Sequence, residues 1–216
     1  MRGLFVAFEG IDGCGKSTQL EHAAKLLARE GHPVVTTREP GGAAIAEKIR
    51  EILIAPEHGE MCSECELLLY LAARAQHVRE KIAPALEKGA IVLCDRFQLA
   101  TFAYQGYGRS MPLPLLETLN GFATGGIVPD ITFVFTISVE ASFKRMAAVN
   151  KRPDRLERAG ADFFSRISRG YRELAERDPS GTVLINGDQP VAVIAEAVGK
   201  RIHSAMDSRC GTSSQI

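Results

Sequence analysis

The sequence predicts an α/β domain built on a five-stranded parallel sheet with helices on both faces. Five short apolar runs, each long enough for one buried strand, alternate along the chain with stretches that carry apolar residues at helical spacing. A glycine-rich loop separates the first strand from the first helix. Because parallel strands need long crossover connections, this alternation indicates right-handed βαβ units.

The pattern also gives approximate element boundaries. The predicted strands are residues 4–8, 34–37, 90–94, 131–137 and 182–186. Helices are expected from the glycine loop to about residue 30 and over residues 43–53, 63–88, 97–106, 113–123, 139–149, 161–177 and 191–206. We expect residues 1–207 to form a single domain with a lid at about 148–158, and residues 208–216 to be a disordered tail.

The bulk composition favours neither nucleic acid nor a membrane surface as a partner. The chain has 26 basic and 26 acidic residues, so no net charge draws it to nucleic acid or to a membrane surface. No signal peptide is expected before the first strand, and no uncharged apolar run approaches the length of a membrane span. We therefore expect a cytoplasmic protein whose five cysteines are reduced.

The C-x-x-C motif of Cys62 and Cys65 has two interpretations. Such a pair is typical of zinc sites and redox centres. However, the sequence has no second pair at ligand spacing and no thioredoxin-like context around this one. Ser63 and Glu66 have the spacing of a capping box at the start of a helix, which is the interpretation that we favour.

The glycine loop carries the strongest functional signal. Residues 10–17 fit G-x-x-x-x-G-K-[ST] between an apolar strand and an amphipathic helix, which predicts the P-loop NTPase fold. The backbone N–H groups would hold phosphates, Lys16 would reach the β- and γ-phosphates of a nucleoside triphosphate, and Ser17 would ligate Mg²⁺. The expected ATP-binding residues are Gly10, Ile11, Asp12, Gly13, Cys14, Gly15, Lys16, Ser17 and Thr18.

Arginines at the ends of other elements predict a second anion site. Arg38 and Arg96 follow predicted strands, and Arg74 lies on the long helix. Ligands bind at the carboxyl ends of strands in such sheets, and a guanidinium binds phosphate through a planar fork. Asp95 ends the third strand, where it would support Mg²⁺ directly or through water, or cap the next helix.

A basic segment between two predicted helices has the features of a lid. Six of the fifteen residues from 144 to 158 are basic: Lys144, Arg145, Lys151, Arg152, Arg155 and Arg158. A lid that closes over the triphosphate would supply an arginine to the transition state, which is worth about 10³–10⁵ in rate. The alternative is a solvated run of charges.

Four segments, in this order, resemble the thymidylate kinase family. They are F-E-G-I-D-G-x-G-K-S-T-Q at 8–19, T-R-E-P-G-G at 37–42, A-R at 73–74, and D-R at 95–96 with the following Thr101 and Y-Q-G at 104–106. The second and fourth are far more specific than the first. The resemblance extends from about residue 3 to 206. It implies transfer of the γ-phosphoryl group of ATP to dTMP, with Mg²⁺, by an enzyme that is usually a homodimer.

The resemblance also implies a role for each acceptor-site residue. Arg38 and Arg96 would hold the dTMP phosphate, and Arg74 would hydrogen-bond the thymine edge. Tyr70, which is phenylalanine in many relatives, would stack on the ring, and Tyr104 would disfavour a ribose 2′-hydroxyl. The other expected substrate contacts are Thr101, Gln105 and Glu39.

Family members differ in where their catalytic arginine lies. Some carry it in the glycine loop, at the position of Gly13 in this chain. Others, common in bacteria, have a small residue there and a basic lid. Gly13 indicates the second type, with Lys151, Arg152 and Arg155 as open candidates, and Asp12 would lie near the sugar 3′-hydroxyl and the metal. The expected catalytic residues are Lys16, Asp12, Arg96, Arg152 and Arg155.

Two other functions remain as alternatives. A deoxynucleoside kinase acting on thymidine would need a carboxylate base for its neutral acceptor hydroxyl, a role open to Glu39 or Asp95. The three arginines argue against it, because an uncharged nucleoside gives them no partner. A non-catalytic P-loop nucleotide binder would bind ATP without having an acceptor site.

Overall fold

Parallel strands form the centre of the fold. A computed structural model describes residues 2–148 and 154–212. Its strands are β1 (Phe5–Glu9), β2 (Val34–Arg38), β3 (Ile91–Asp95), β4 (Ile131–Thr136) and β5 (Thr182–Asn186). All pairings are parallel, in the order β2-β3-β1-β4-β5. The predicted five-stranded parallel sheet is confirmed.

The sheet is buried on both faces, because alternate side chains of β1 pack into apolar clusters on opposite sides of it. Val6 and Phe8 join the apolar cluster on one face, whereas Phe5 and Ala7 join the cluster on the other. All four side chains are fully buried, as the alternation of side chains along a central strand requires. The carboxyl end of β1 is therefore held between β3 and β4, and the glycine loop starts there.

Helices cover the two faces of the sheet. They are α1 (Lys16–Arg29), α2 (Ala44–Ile54), α3 (Ser63–His77), α4 (Ala83–Glu87), α5 (Gln98–Thr101), α6 (Leu113–Thr124), α7 (Val139–Ala148), α8 (Ala161–Arg177) and α9 (Val191–Thr212). A 3₁₀ turn at Glu157–Ala159 precedes α8. Within the described residues, none of these helices has the length and apolarity that crossing a membrane requires.

The helix predicted over residues 63–88 changes its hydrogen-bond register midway. A π-helical stretch, Val78–Ile82, joins α3 to α4. Pro84 lies in the first turn of α4 and has no N–H, so an uninterrupted α-helical ladder is impossible there. A second π-helical stretch, Phe102–Gly108, continues the short α5.

The predicted capping box at the start of α3 is wrong. The N-cap residue is Cys62, and no side chain caps the helix. Glu66 is instead fully buried and bonds to side chains from distant parts of the chain. Cys62 and Cys65 are exposed free thiols.

The C-terminal boundary also differs from the prediction. Helix α9 continues to Thr212, so residues 208–212 are helical rather than a disordered tail. Arg209 donates to the Gly3 carbonyl at 2.8 Å and pairs with Asp130, which ties this end of the helix to the sheet. Residues 213–216 lie outside the described part of the chain.

Candidate active site

Left-handed glycines shape the loop after β1. Gly10 has a φ of 134°, and a Cβ there would lie 2.4 Å from the Phe135 carbonyl oxygen. Gly15, which precedes the first residue of α1, has a φ of 97°. Only glycine adopts such backbone conformations without strain. The loop therefore curls around the N-terminus of α1, where free N–H groups and the helix dipole favour a bound phosphate.

The two side chains predicted to serve the triphosphate begin α1. The Lys16 ammonium is buried and donates to the Ile11 carbonyl at 3.0 Å, so it lies within the curl of the loop. The Ser17 hydroxyl donates to Asp95 Oδ2 at 2.5 Å. A hydroxyl paired with a strand-end carboxylate supplies the hard oxygen ligands that Mg²⁺ prefers. Ser17 and Asp95 thus fit the metal site predicted for them.

A cavity opens beside the loop and collects most of the predicted acceptor residues. Its predicted members are Asp12, Glu39, Tyr70, Arg74, Arg96, Thr101, Tyr104 and Gln105. The other members are Pro40 of the segment before α2, Arg50 and Ile54 of α2, Ala100 of α5, and Asp154 and Leu156 of the predicted lid. The sequence prediction therefore missed the part of the cavity that α2 lines and did not assign Asp154 and Leu156 to the cavity.

Arg96 connects this cavity to the glycine loop. Its guanidinium lies 2.6 Å from Asp12 Oδ1, donates to the Gly10 carbonyl at 3.1 Å and sits over the Tyr104 ring at 5.1 Å. Burial favours a protonated Asp12, but the nearby Arg96 and Lys16 charges outweigh it and lower its pKa to about 2. Asp12 is therefore a carboxylate, and Arg96 is held as a cation at the cavity wall.

Arg74 is held almost rigidly. Its guanidinium donates to Glu39 Oε2 at 2.7 Å and to the Thr101 hydroxyl at 2.7 Å. It also donates to the Phe97 carbonyl at 2.9 Å and to the Asn120 side chain. A guanidinium has five N–H groups, so within the described residues one of them remains for a ligand in the cavity.

Arg38 does not line the cavity, which differs from the prediction. Its guanidinium pairs with Glu47 Oε2 at 2.8 Å on the exposed surface near Ser17. Arg50, which the sequence analysis missed, lines the cavity instead and donates to the Pro40 carbonyl at 2.9 Å. Helical spacing could have found Arg50, because it lies on the buried face of α2 that Ala46 and Leu53 share.

The candidate lid arginines have different positions. Lys151 and Arg152 lie outside the described residues. Arg155 is buried, and its Nη1 lies 2.6 Å from Glu66 Oε2 while its Nε donates to the Leu53 carbonyl at 2.9 Å. In this structure Arg155 therefore fastens the end of the lid to α2 and α3, rather than facing the glycine loop.

Glu9 is a buried carboxyl group for which the sequence predicted no role. Its Oε1 accepts hydrogen bonds from the Phe97 and Ala100 backbone at 2.7 and 3.2 Å, and its Oε2 accepts one from the Tyr171 hydroxyl at 3.0 Å. Burial dominates and raises its pKa to about 7, despite these donors and the nearby Arg96 charge. Glu9 thus anchors the turn that follows Arg96. The sequence feature that could have identified Glu9 is an acidic residue at the end of a buried apolar strand.

Gly13 lies against α7. Its φ is 74°, and a Cβ there would meet the Ser142 carbonyl oxygen at 3.0 Å and Arg145 Cβ at 3.3 Å. Arg145 donates to the Gly13 carbonyl at 3.2 Å. An arginine at position 13 would therefore require both a strained backbone and movement of α7, so this loop is built for a small residue.

The parallel sheet, the glycine loop and the arginine-lined cavity beside it define a P-loop nucleotide-binding protein with room for a second, anionic ligand. A family model for thymidylate kinase matches residues 8–198. The chain is 45% identical to a thymidylate kinase of Desulforudis audaxviator over 97% of this chain and 94% of that one. It is 47% identical to one of Geobacter sulfurreducens, over 91% and 94%.

A solved structure agrees with these sequence matches. The crystal structure of thymidylate kinase from Ehrlichia chaffeensis superposes with a TM-score of 0.76 at 31% identity, covering 94% of this chain and 100% of that one. The chain belongs to the thymidylate kinase family.

Proposed function

We propose that this enzyme transfers the γ-phosphoryl group of ATP to dTMP, giving dTDP and ADP. The observation that carries the proposal is the cavity in which Arg96, Arg74 and Arg50 lie together beside the glycine loop. Arg96 and Arg74 already pair with Asp12 and Glu39. A guanidinium nevertheless has N–H groups enough to bind a phosphate beside a carboxylate, and a nucleoside monophosphate supplies that phosphate. The thymidylate kinases that match nearly the whole chain support the same acceptor.

ATP binding is assigned to the glycine loop, to Lys16, and to Ser17 with Asp95. The N–H groups of the loop and the Lys16 ammonium would hold the triphosphate and neutralise its charge. Ser17 and Asp95 would hold Mg²⁺, which screens charge on the transferring group. Lys16 exchanges its bond to the Ile11 carbonyl for phosphate oxygens when ATP binds.

The acceptor side is assigned to the cavity. Arg96 would bind the dTMP phosphate, with Arg50 as a second cation and Arg38 as the one predicted from sequence. The expected contacts to the nucleoside are Tyr70 on the ring, Arg74, Thr101 and Gln105 at the base edge, Tyr104 beside the sugar, and Glu39 behind Arg74. An acceptor phosphate oxygen is already anionic at neutral pH, so its attack needs position and charge neutralisation rather than a strong base.

The transition-state cation is assigned to the lid. Of the three candidates, Arg155 has its guanidinium in a buried ion pair with Glu66, so we assign the role to Arg152, with Lys151 as the neighbouring alternative. The small residue at position 13 supports a source on the lid rather than in the loop. Asp12 keeps Arg96 oriented throughout.

Substitution of Lys16 tests the donor assignment. Lys16→Ala should abolish detectable transfer to dTMP, while calorimetric binding of dTMP and the circular dichroism spectrum stay close to those of the unaltered enzyme. Near-normal turnover by this variant would refute the role of the loop. An enzyme that binds ATP but shows no saturable dTMP binding would be a nucleotide binder instead.

We further propose that the enzyme is a cytoplasmic homodimer. Leu67 and Leu71 on α3 are buried in the monomer core and offer no surface to a partner. Leu68 on α3 and Leu115 and Phe122 on α6 are exposed, and Phe122 is 88% exposed. Light scattering on Phe122→Asp tests this surface, because a dimer that uses it should become monomeric.

A further inference from the structure

Glu66 is a buried carboxylate that the proposed reaction does not use. Its Oε1 accepts hydrogen bonds from Gln105 Nε2 at 2.9 Å and from Arg109 Nε at 3.3 Å. Its Oε2 lies 3.0 Å from Arg109 Nη2 and 2.6 Å from Arg155 Nη1. The side chain is fully buried, so these partners rather than water determine its charge state.

Two arginines keep Glu66 ionised. Burial alone would raise the pKa of its carboxyl group, but hydrogen bonds from Arg109 and Gln105 and the charges of Arg109 and Arg155 outweigh it. The pKa is therefore lower than its usual value. An ionised carboxylate accepts hydrogen bonds and donates none. Glu66 is thus a fixed acceptor in contact with a residue of the acceptor cavity.

A fixed acceptor determines which way the Gln105 amide points. The amide NH₂ must face Glu66, because the reverse orientation would place the amide oxygen against a carboxylate oxygen. Gln105 is buried and lines the cavity. With its nitrogen held at Glu66, the amide oxygen is the group of Gln105 that can accept a hydrogen bond from a ligand there.

We propose that Glu66 is a positioning residue that sets base specificity by making Gln105 present a hydrogen-bond acceptor to the cavity. Thymine and uracil carry an N–H at ring position 3 and match such an acceptor. Cytosine has an unprotonated nitrogen there, so two acceptors would face each other. This inference rests on the proposed function, since it concerns which pyrimidine monophosphate the cavity accepts.

Replacing Glu66 with glutamine releases this constraint, because a glutamine both donates and accepts. The Gln105 amide then turns to suit either base. The mismatched base no longer leaves a buried polar group unpaired, so discrimination should fall by roughly tenfold. Discrimination is measured as Ki for dCMP, a competitive inhibitor against dTMP, divided by KM for dTMP.

The experiment compares Glu66→Gln with Arg109→Gln, which removes a charge from the same cluster without altering the partner of the Gln105 nitrogen. We expect the Ki/KM ratio to fall at least about tenfold in Glu66→Gln and to stay unchanged in Arg109→Gln, with saturating kcat for dTMP within about threefold in both. Equal changes in the ratio for the two variants would overturn the proposal, since the effect would then be structural.

A second variant covers the case in which Glu66→Gln does not fold, and a control measurement separates this proposal from the proposed function. If thermal unfolding shows that Glu66→Gln is not folded, Glu66→Asp replaces it, because aspartate keeps the charge but is too short to reach Gln105. An unchanged ratio in a folded Glu66→Asp would overturn the proposal. Turnover of dTMP by the unaltered enzyme is measured alongside. Its absence would contradict the proposed function itself, whereas its presence with an unchanged ratio would contradict only the role of Glu66.

Discussion

The Arg96 guanidinium lies 2.6 Å from the Asp12 carboxylate, which joins the cation of the acceptor cavity to the phosphate-binding loop. Arg96 leaves β3, and Asp12 belongs to the loop after the neighbouring strand β1. The glycine loop and the arginine-lined cavity are therefore joined by an ion pair between segments that follow adjacent strands. A Coulomb contact of this kind, partly shielded from water, holds its geometry better than one on the open surface.

Arg96→Lys tests whether the planar shape of the Arg96 guanidinium, and not only its charge, is needed for activity with dTMP. Lysine keeps the charge but lacks the planar fork that contacts Asp12, the Gly10 carbonyl and a phosphate together. Loss of a charge-assisted bond is worth about 1.5–3 kcal/mol, so kcat/KM for dTMP should fall about 10–150-fold. Steady-state kinetics measure it, with the exposed Arg169→Lys as a control away from the loop and the cavity. A loss of less than about threefold would contradict the assignment.

Arg50 and Arg38 give opposite expectations for acceptor binding. Arg50→Ala should raise KM for dTMP by about tenfold, because Arg50 lines the cavity. Arg38→Ala should change it by less than about threefold, because Arg38 is exposed and paired with Glu47. Initial rates at saturating ATP measure both. The reverse order would mean that Arg38 leaves Glu47 to bind the phosphate, as the sequence predicted.

Substitution of Arg152 should lower the catalytic rate, whereas substitution of Arg155 should lower the stability of the fold. Arg152→Ala should lower kcat by about 10³ or more with little change in KM for dTMP, because a transition-state cation is lost. Arg155→Ala should instead lower the free energy of unfolding by about 3 kcal/mol, because it removes one partner of the buried Glu66. Urea unfolding and kinetics on both variants check this. A stable Arg155→Ala with a thousandfold lower kcat would restore Arg155 as the catalytic residue.

Glu9 should give the enzyme a pH-dependent stability. The folded state raises the pKa of Glu9 from 4.5 to about 7, so the native state holds the proton more tightly than the unfolded chain. Its contribution is therefore complete below pH 4.5 and is lost as the pH rises through 7. The steepest slope is about 1.4 kcal/mol per pH unit. The nearby charged and titratable groups are Arg74, Arg96 and Tyr171.

Glu9→Gln removes this titration while keeping an acceptor for the Phe97 and Ala100 N–H groups. Its stability should fall less steeply between pH 5 and 7 than that of the unaltered enzyme. Urea unfolding at several pH values measures the difference, with the exposed Glu21→Gln as the matched control. Parallel curves for all three proteins would show that Glu9 does not titrate in this range.

The fold was predictable because its signals are local. Each strand is a short apolar run, and the glycine loop fixes the joint between β1 and α1. The residues at strand ends, such as Asp95 and Arg96, were predictable for the same reason, since parallel strands end at one edge of the sheet. Seven of the eight predicted acceptor residues meet in one cavity, together with Asp12 of the glycine loop.

The remaining features depend on contacts between distant segments. The direction of the Arg38 side chain is decided by Glu47, and that of Arg155 by Glu66. Spacing along the chain carries no information about either pair. The buried state of Glu66 also reverses the capping-box interpretation, because two distant arginines stabilise its charge better than a helix end would.

The most direct test of the account compares dTMP with thymidine as acceptors at saturating ATP and Mg²⁺. We predict efficient turnover of dTMP, with kcat/KM at least about 10³-fold above that for thymidine, because thymidine lacks the phosphate that Arg96 and Arg50 are proposed to bind. Efficient turnover of thymidine without turnover of dTMP would contradict it.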